Sequence, residues 1–350
     1  MAVDLSKLVV KKKISLDELN GKIVAIDAYN VLYQFLSTIR QQDGMPLMDS
    51  NGNITSHLSG LFYRTVELLD SGVKPIYVFD GIPSILKERT IQARIKRRED
   101  AYRAWKSAVE DGRMEEAKGF AQASTRITKD IIASSKALLD AMGIGYINAP
   151  SEGEAQASYM CRKGLVDVTV SQDYDTMLFG APIVGRNITI SGRRKLPKRN
   201  IYINVEPELM YFNDTLESLQ INHDQLIWIG LMLGTDFNDG IKGIGPKNAL
   251  KIAKNSKSID DMISFIKEKY NAEFELDIRE VINLFKNPEI KELEKMDIDA
   301  LIGIKPSSEK IIDIMCNAHG FDKERIAKYI DKIIEIKGST RQRTIGNWFA

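Results

Sequence analysis

The sequence contains few of the residues that form disulfides or bind soft metals. Its 350 residues include only two cysteines and three histidines. Cys161 and Cys316 lie far apart in the chain, which indicates free buried thiols and no disulfide framework. Because zinc is usually held by cysteine and histidine, a zinc cluster is not expected. A site in which carboxylates bind a hard cation such as Mg²⁺ is still compatible with this composition.

A long hydrophobic run and a secretory signal are also missing. No apolar stretch approaches the roughly 20 residues that span a bilayer. The first residues, MAVDLSKLVVKKKISLDELN, lack the basic, apolar and small-residue segments of a signal peptide. We therefore expect a cytoplasmic protein with no membrane partner.

The composition also lacks a strong charge of either sign. The formal net charge is +1, yet a balanced total can hide a basic face opposite an acidic one, so a nucleic-acid partner is not excluded. A hydrophobic content of 43% excludes global disorder.

Four apolar segments have the pattern of buried strands and stop at acidic residues. Helical patterns such as SHLSGLFYRTVELLDSG and ITKDIIASSKALLDAMG lie between them. This alternation predicts an α/β fold with a mostly parallel central sheet flanked by helices. Since parallel strands end at one edge of a sheet, we expect their acids to converge there. The segments are GKIVAIDAYN (Asp27), KPIYVFDG (Asp80), IGYINAPSEGE (Glu152, Glu154) and VDVTVSQDYD (Asp173, Asp175).

Each acid taken alone also has a structural interpretation. Ser151 and Glu154 fit a capping box, in which the serine caps a helix and the glutamate reaches back. Asp27 alone fits a turn, and Asp236 in LGTDFNDG fits a loop cap. Asp173 and Asp175 are two residues apart, so on a strand both would point to the same face.

The acids taken together favour a metal site, because that many ionised carboxylates at one edge would repel each other strongly. Either their pKa values rise or cations lie among them. Magnesium suits an all-oxygen site that also takes substrate phosphate. Two such ions about 4 Å apart would activate a water and stabilise the leaving oxygen in phosphodiester cleavage. The seven candidate ligands are Asp27, Asp80, Glu152, Glu154, Asp173, Asp175 and Asp236.

A basic helix is predicted directly after Asp80. Lys87 and Arg94 are seven residues apart and share a helix face that Arg98 extends. A cation here would reach a scissile phosphate, although a solvated helix surface is the alternative. Tyr102 and Trp105 fit either base stacking or a core role.

The segment GIKGIGPKNALKIAKN predicts two helices joined by a glycine-rich turn. Gly240, Gly243 and Gly245 permit a tight turn whose N–H groups face a phosphate, and Pro246 suits a first helical turn. Lys247, Lys251 and Lys254 line one face of the second helix. Such a helix–hairpin–helix grips the DNA backbone without regard to sequence; an ordinary helix connection is the alternative.

These segments together resemble a known family. AIDAYNVLYQFLSTIR, SHLSGLFYRT, YVFDG, APSEGEAQA, SQDYDTMLFG and LGTDFNDGIKGIGPKNAL match the archaeal-type flap endonucleases, of the structure-specific 5′ nuclease superfamily. The resemblance implies that the seven carboxylates bind two Mg²⁺, for which Mn²⁺ substitutes. It places Lys87 and Arg94 at the cleaved phosphate and Tyr33 stacked on a base. The implied DNA-binding residues, around a monovalent cation, are Gly240, Lys242, Gly243, Gly245, Lys247 and Lys251.

The resemblance also implies a division of the chain. A nuclease domain covers 1–337, comprising a first part of the core (1–82), a helical arch (83–130) that a 5′ flap threads, and the rest of the core (131–337). The helix–hairpin–helix lies near 228–255. The loop 41–58 falls where relatives hold a one-nucleotide 3′ flap, and Ala2 stands where relatives have glycine.

The C-terminal tail, 338–350, contains QRTIGNWF and resembles the family's sliding-clamp peptide. An apolar groove of the clamp would take Ile345, Trp348 and Phe349 as a short helix, with Gln342 alongside. Docking of these side chains onto the protein's own core is the alternative.

The sequence therefore predicts a monomeric, Mg²⁺-dependent DNA 5′-flap endonuclease and 5′-3′ exonuclease in Okazaki-fragment maturation and DNA repair. Branched DNA and the sliding clamp are its expected partners. Two rival interpretations are a metal-dependent RNase of the PIN type and a non-catalytic, clamp-bound DNA adaptor. The predicted arch and duplex clamp argue against the first, and the full set of carboxylates argues against the second.

Overall fold

A seven-stranded mixed sheet forms the centre of the molecule. The computed structural model describes residues 3–41, 43–190, 193–195 and 202–346, with the backbone alone for 193–195, 202–204 and 339–346. The strand order is β1-β9-β6-β5-β2-β3-β4, and β6, β5, β2, β3 and β4 run parallel. β9 pairs antiparallel with β6, and β1 pairs antiparallel with β9. A separate antiparallel pair joins β7 and β8. The strands are β1 Lys11–Lys13, β2 Ile23–Asp27, β3 Lys74–Phe79, β4 Tyr146–Asn148, β5 Val168–Val170, β6 Ile183–Arg186, β7 Arg193–Lys195, β8 Tyr202–Asn204 and β9 Glu208–Tyr211.

Strands β2 and β3 are covered by helices on both faces, which explains their continuous apolar sequences. Alternate residues of β3 enter different cores: Tyr77 and Phe79 pack with α1, α2, α5 and α15. Ile76 and Val78 pack with α6 and α13 on the other face. The helices of these layers are α1 Ala28–Thr38, α2 Ser56–Asp70, α5 Lys129–Met142, α6 Gly153–Arg162, α13 Lys295–Ile302, α14 Ser308–Ile312 and α15 Lys323–Gly346.

A third core joins the helices that follow the sheet in sequence. Buried residues of α9 and α10 pack there with Met262, Val281 and Phe285 of the two helices after them. The remaining helices are α3 Glu88–Glu110, α4 Met114–Ala123, α7 Asp175–Leu178, α8 Phe212–Leu219, α9 His223–Leu233, α10 Pro246–Asn255, α11 Ile259–Tyr270 and α12 Ile278–Lys286. A π-helical segment, Asp313–Ala318, precedes α15. The helices described include none long and apolar enough to cross a membrane.

The predicted strands and helices are largely present, with two local corrections. Asp173 and Asp175 do not share a strand, because β5 ends at Val170 and Asp175 begins α7. The Ser171 hydroxyl accepts the Asp173 N–H at 3.1 Å, which turns the chain out of the strand direction. The capping-box interpretation of Ser151 and Glu154 is also wrong, because Glu152 occupies the N-cap of α6.

The predicted boundaries at residues 83, 130 and 338 can be compared with the ends of helices. Residues 83–130 contain the helical hairpin of α3 and α4, and the following helix starts at Lys129. α15 runs on to Gly346, so the predicted start of the tail at residue 338 lies inside a helix. The division into core, arch and tail stays a prediction.

Candidate active site

The seven predicted carboxylates lie on the loops and helix starts at one edge of the sheet. Asp27 ends β2 and caps α1, and Asp80 follows β3. Glu152 and Glu154 stand at the start of α6. They are near enough to act on one another electrostatically: Asp27 is affected by Asp80 and Asp173, Asp80 by Glu152, and Asp175 by Asp236. The parallel topology therefore gathers the acids as predicted.

Backbone N–H groups and short polar side chains hold several of these carboxylates in place. Asp80 Oδ1 accepts from Gly153 N at 2.7 Å, and Asp175 Oδ1 accepts from Val3 N at 3.1 Å. Asp27 Oδ1 accepts from Asn30 N at 3.1 Å. These bonds fix one oxygen of each carboxylate and leave the other oxygen for a further partner.

Burial and mutual repulsion raise the pKa of most of the cluster. Burial, with repulsion from Glu152, raises the pKa of Asp80 to about 6. Burial, with repulsion from Asp236, raises the pKa of Asp175 to about 7. Burial raises the pKa of Asp27 and Glu154 well above the ordinary range, with repulsion from Asp80 and Asp173 respectively. The cluster holds more negative charge than the surrounding protein neutralises.

Two basic side chains enter the cluster from the start of α3. Lys87 Nζ contacts Glu152 and lies 3.6 Å from Asp236 Oδ2, and Arg94 Nη2 contacts Asp236 Oδ1. Burial raises the pKa of Asp236, but Lys87 and Arg94 outweigh it and hold that pKa below its ordinary value. Both cations thus lie at the carboxylates, as the position of their helix directly after Asp80 predicts.

The carboxylates of the cluster, all of them among the described residues, are not arranged as a preformed metal-coordination group. Within the described ranges, no three histidine, cysteine, aspartate or glutamate side chains are arranged to hold a metal ion. Oxygens of Glu152, Asp236 and Glu154 already have protein partners, since ammonium, guanidinium and hydroxyl groups lie against them. The donor set nevertheless fits hard divalent cations, since it is all oxygen and short of positive charge.

Three polar residues of the site were not predicted. The hydroxyls of Ser171 and Thr176 lie 2.6 and 3.2 Å from Glu154 Oε1. Asn30 Nδ2 donates to Asp173 Oδ2 at 3.2 Å. A signal was present in the sequence, because Ser171 and Thr176 flank the two aspartates and Asn30 stands one helical turn after Asp27.

The chain is similar to known proteins over its whole length. The XPG N-terminal domain matches residues 3–101, and the XPG I-region matches residues 143–236. Flap endonuclease 1 of Thermococcus onnurineus is 46% identical over 350 residues, which cover 100% of this chain and 99% of that protein. Flap endonuclease 1 of Methanococcoides burtonii is 48% identical over 350 residues and all of both chains. The solved flap endonuclease-1 of Methanococcus jannaschii aligns with a TM-score of 0.74 and 38% identity, over 97% of this chain and 99% of that one.

The chain belongs to the flap endonuclease 1 family. The N-terminal match contains Asp27 and Asp80 together with Lys87 and Arg94, and the I-region match contains the other five carboxylates. Both regions of the flap endonuclease 1 sequence therefore contribute to one cluster. The resemblance to flap endonucleases and the predicted α/β fold, with a mostly parallel sheet flanked by helices, are confirmed.

The aromatic residues predicted near the substrate lie on two helices. Tyr33 on α1 is 36% exposed, and the Arg98 guanidinium lies 5.8 Å from its ring centroid. Tyr102 and Trp105 lie against each other within α3, with ring centroids 5.5 Å apart and ring planes at 35°. Tyr33 therefore presents a ring face to the space between α1 and α3, whereas Trp105 is partly covered by its neighbours.

The glycine-rich hairpin of this family member joins α9 to α10. Gly240 and Gly243 adopt φ of 73° and 89°, which favours glycine, and Gly245 is the N-cap of α10 with Pro246 in its first turn. Three predicted DNA-binding lysines, Lys242, Lys247 and Lys251, are exposed.

The predicted clamp-binding residues fall at the end of the chain. Gln342 and Ile345 lie in the last turns of α15, where the structure describes the backbone alone. Trp348 and Phe349 lie outside the described residues. The clamp assignment therefore stays a prediction.

Proposed function

We propose that this chain is a metal-dependent DNA 5′-flap endonuclease and 5′-3′ exonuclease. The observation that carries the proposal is the convergence of seven carboxylates with Lys87 and Arg94 at the edge of a parallel sheet. Full-length identity of 46–48% to flap endonuclease 1 proteins supports the substrate class. The proposed reaction is hydrolysis that leaves a 5′-phosphate and a 3′-hydroxyl, without a covalent intermediate.

The seven carboxylates would hold two divalent cations, Mg²⁺ or Mn²⁺. When bound, these ions supply an activated water and charge stabilisation at the leaving oxygen. The protein's part is to keep Asp80, Glu154 and Asp175 fixed through the hydrogen bonds of Gly153, Ser171 and Val3. Charge repulsion within the cluster, which raises the pKa values, is the driving force for cation uptake.

Lys87 and Arg94 would stabilise the negative charge that develops on the scissile phosphate. In the absence of substrate they pair with Glu152 and Asp236. A phosphate entering the site would replace those carboxylates as their partner, and this exchange would free Glu152 and Asp236 for the cations. Tyr33, beside Arg98, would stack on a base next to the cleaved bond.

DNA outside the cleavage site would be held by two further elements. The α3–α4 hairpin is proposed as the arch that the flap threads. The turn around Gly243, with a monovalent cation and Lys242, Lys247 and Lys251, would grip the backbone of a duplex arm. Gln342, Ile345, Trp348 and Phe349 are proposed to bind the sliding clamp during Okazaki-fragment maturation and repair, and the enzyme to act as a monomer.

The test is cleavage of three labelled substrates: a double-flap DNA, an unbranched single-stranded DNA and a single-stranded RNA. Each is incubated with Mg²⁺ and with chelator, using wild type and Asp175→Ala. We expect Mg²⁺-dependent incision at the flap junction and a loss of at least a thousandfold in Asp175→Ala with DNA binding retained. Preference for RNA would favour the PIN-type interpretation, and binding without cleavage would favour the adaptor.

A further inference from the structure

A cleft beside the carboxylate cluster is not used by the function proposed above. It measures about 390 Å³, within the range of about 300–1,000 Å³ typical of small-ligand sites. One wall is formed by Ile82, Pro83 and the segment 150–152, and the other by Asn283 and Leu284 of α12 together with residues 287–289. Glu152, a candidate metal ligand, belongs to both the cleft and the cluster. We call it the Ile82 cleft.

The first wall is held rigidly to the protein. Gly81 N donates to Ser151 O at 2.7 Å, and Ile82 N donates to Pro150 O at 3.0 Å. A Cβ atom at Gly81 would lie 2.2 Å from Ala149 O, so this close approach requires glycine. The side chain of Ile82 is nevertheless 81% exposed. The cleft therefore presents a preformed apolar surface to solvent next to the candidate active site.

The charges of the cleft exclude one class of ligand group. Glu152, Glu280 and Glu289 lie along it, and its described lining contains no lysine, arginine or histidine. A phosphate would be repelled there, whereas it would be attracted to Lys87 and Arg94 in the neighbouring cluster. A nucleotide whose phosphate lies at the cluster would bring its uncharged base, and not its phosphate, to the cleft.

The second wall offers hydrogen-bonding groups of the kind that a base edge needs. Asn287 Nδ2 donates to Asn283 Oδ1 at 2.9 Å, and Asn287 N donates to Asn283 O at 2.7 Å. This pairing uses one amide donor and one amide acceptor. It leaves another donor and another acceptor on two exposed side chains that line the same cleft as Ile82 and Pro83.

We propose that the Ile82 cleft binds the unpaired nucleobase on the flap side of the scissile phosphate. The base would pack against Ile82, Pro83 and Pro150, with its polar edge at Asn283 and Asn287. This contact would fix the nucleotide whose phosphate is cleaved and so increase the rate for a base-bearing flap. The inference rests on the proposed function, since it requires a single strand at the carboxylate cluster.

The test uses double-flap DNA in which one of the two nucleotides on the flap side of the cleaved bond is replaced by an abasic tetrahydrofuran unit. Single-turnover rates are compared with those of the intact substrate. Ile82→Ser removes the apolar wall, and Ile85→Ser is the matched control, since Ile85 is 82% exposed on the same segment but does not line the cleft. Circular dichroism verifies that both variants are folded.

Wild type and Ile85→Ser are expected to cleave one of the two abasic substrates about three- to tenfold more slowly than the intact one. In Ile82→Ser this penalty is expected to shrink to less than twofold, because the intact substrate itself becomes slower. Equal rates for all substrates in wild type, or a full penalty in Ile82→Ser, would overturn the proposal. Absence of flap cleavage in wild type would instead overturn the proposed function.

Discussion

At the scale of single residues, hydrogen-bond partners decide how a carboxylate of the cluster is oriented. Glu154 is buried among other acids, and its Oε1 is 2.6 Å from the Ser171 hydroxyl and 3.2 Å from that of Thr176. With both hydroxyls on one oxygen, the other oxygen is left for a cation. Groups that orient metal ligands in this way commonly change metal affinity about 10–100-fold when removed.

Ser171→Ala is therefore expected to weaken Mn²⁺ binding about tenfold, because Glu154 loses the shorter of its two hydroxyl contacts. Isothermal titration of the DNA-free protein measures this affinity without reference to activity. Ser158→Ala is the matched control, since its buried hydroxyl donates at 2.6 Å to the Glu154 carbonyl and not to the carboxylate. Equal affinities of the two variants would show that Ser171 does not orient a ligand.

The raised pKa of Asp175 predicts that the free energy of unfolding of the metal-free protein decreases as the pH rises. This pKa is about 7 in the folded chain, because of burial and repulsion from Asp236, against about 3.9 in an unfolded one. The folded state thus binds the proton more tightly, so stability is lost as pH rises from about 4 through 7. Above pH 7 the ionised carboxylate lowers the free energy of unfolding by up to about 4 kcal/mol.

Asp175→Asn removes this cost while keeping an acceptor for the Val3 N–H. In chelator at pH 8 the variant should unfold at a higher temperature than wild type, and the two should converge near pH 4, where Asp175 of the wild type becomes protonated in both the folded and the unfolded state. Thermal melting at both pH values, with and without Mg²⁺, provides the measurement. A variant less stable than wild type at pH 8 in chelator would contradict the assigned direction of the pKa shift.

At the scale of strands and helices, the sequence predicted those elements that a local residue pattern specifies. β2 and β3 were predictable because Val24, Ala25 and Ile26 and their neighbours are apolar on both faces of the sheet. α5 was predictable because Thr128 caps its start and Gly143 ends it with φ of 68°. The antiparallel edge was not predicted, since β1 is three exposed lysines whose partner, β9, lies about 200 residues away in sequence.

In the candidate site, too, the sequence pattern did not predict contacts between residues that are distant in the chain. Spacing alone predicted that Lys87 and Arg94 share a face and that the acids meet at one edge. It did not predict that Lys87 would pair with Glu152 or that Arg94 would pair with Asp236, because those contacts join segments 65 and 142 residues apart. Nor did the pattern show that the chain leaves its strand before Asp173, which depends on a turn at Ser171.

The contact between α1 and α2 gives a prediction about stability. A Cβ atom at Gly60 would lie 2.3 Å from Cγ of Phe35, which is buried in the core. Gly60→Ala should therefore destabilise the fold by about 1–3 kcal/mol. Gly119→Ala on α4 is the control, because a Cβ there has no atom within 4 Å and should stabilise the helix by up to about 1 kcal/mol. Chemical denaturation of both variants measures the difference; equal effects would refute the packing argument.

At the scale of the whole molecule, a formal net charge of +1 conceals an uneven distribution. Acids collect at the sheet edge, whereas Lys242, Lys247 and Lys251 are exposed around the hairpin between α9 and α10. Attraction of DNA to this protein would therefore depend on where the charges lie and not on their sum.

Replacement of both Lys247 and Lys251 by alanine should weaken the binding of flap DNA. The slope of the log association constant against the log salt concentration should become shallower by about 2, because each lost phosphate contact contributes about 0.9. Titrations with fluorescent DNA in chelator, over a range of salt concentrations, give the slope. Lys310→Ala on α14, an exposed lysine outside the hairpin, should leave it unchanged. An unchanged slope in the double variant would remove these lysines from the DNA interface.

The proposed function depends most on the two-cation site that we infer for the seven carboxylates. Anomalous scattering from a crystal of the protein with Mn²⁺ and flap DNA tests it directly. We expect two peaks about 4 Å apart, ligated by the carboxylate cluster, with Lys87 moved from Glu152 towards the scissile phosphate. Peaks at other residues, or none at the cluster while flap DNA is bound there, would contradict it.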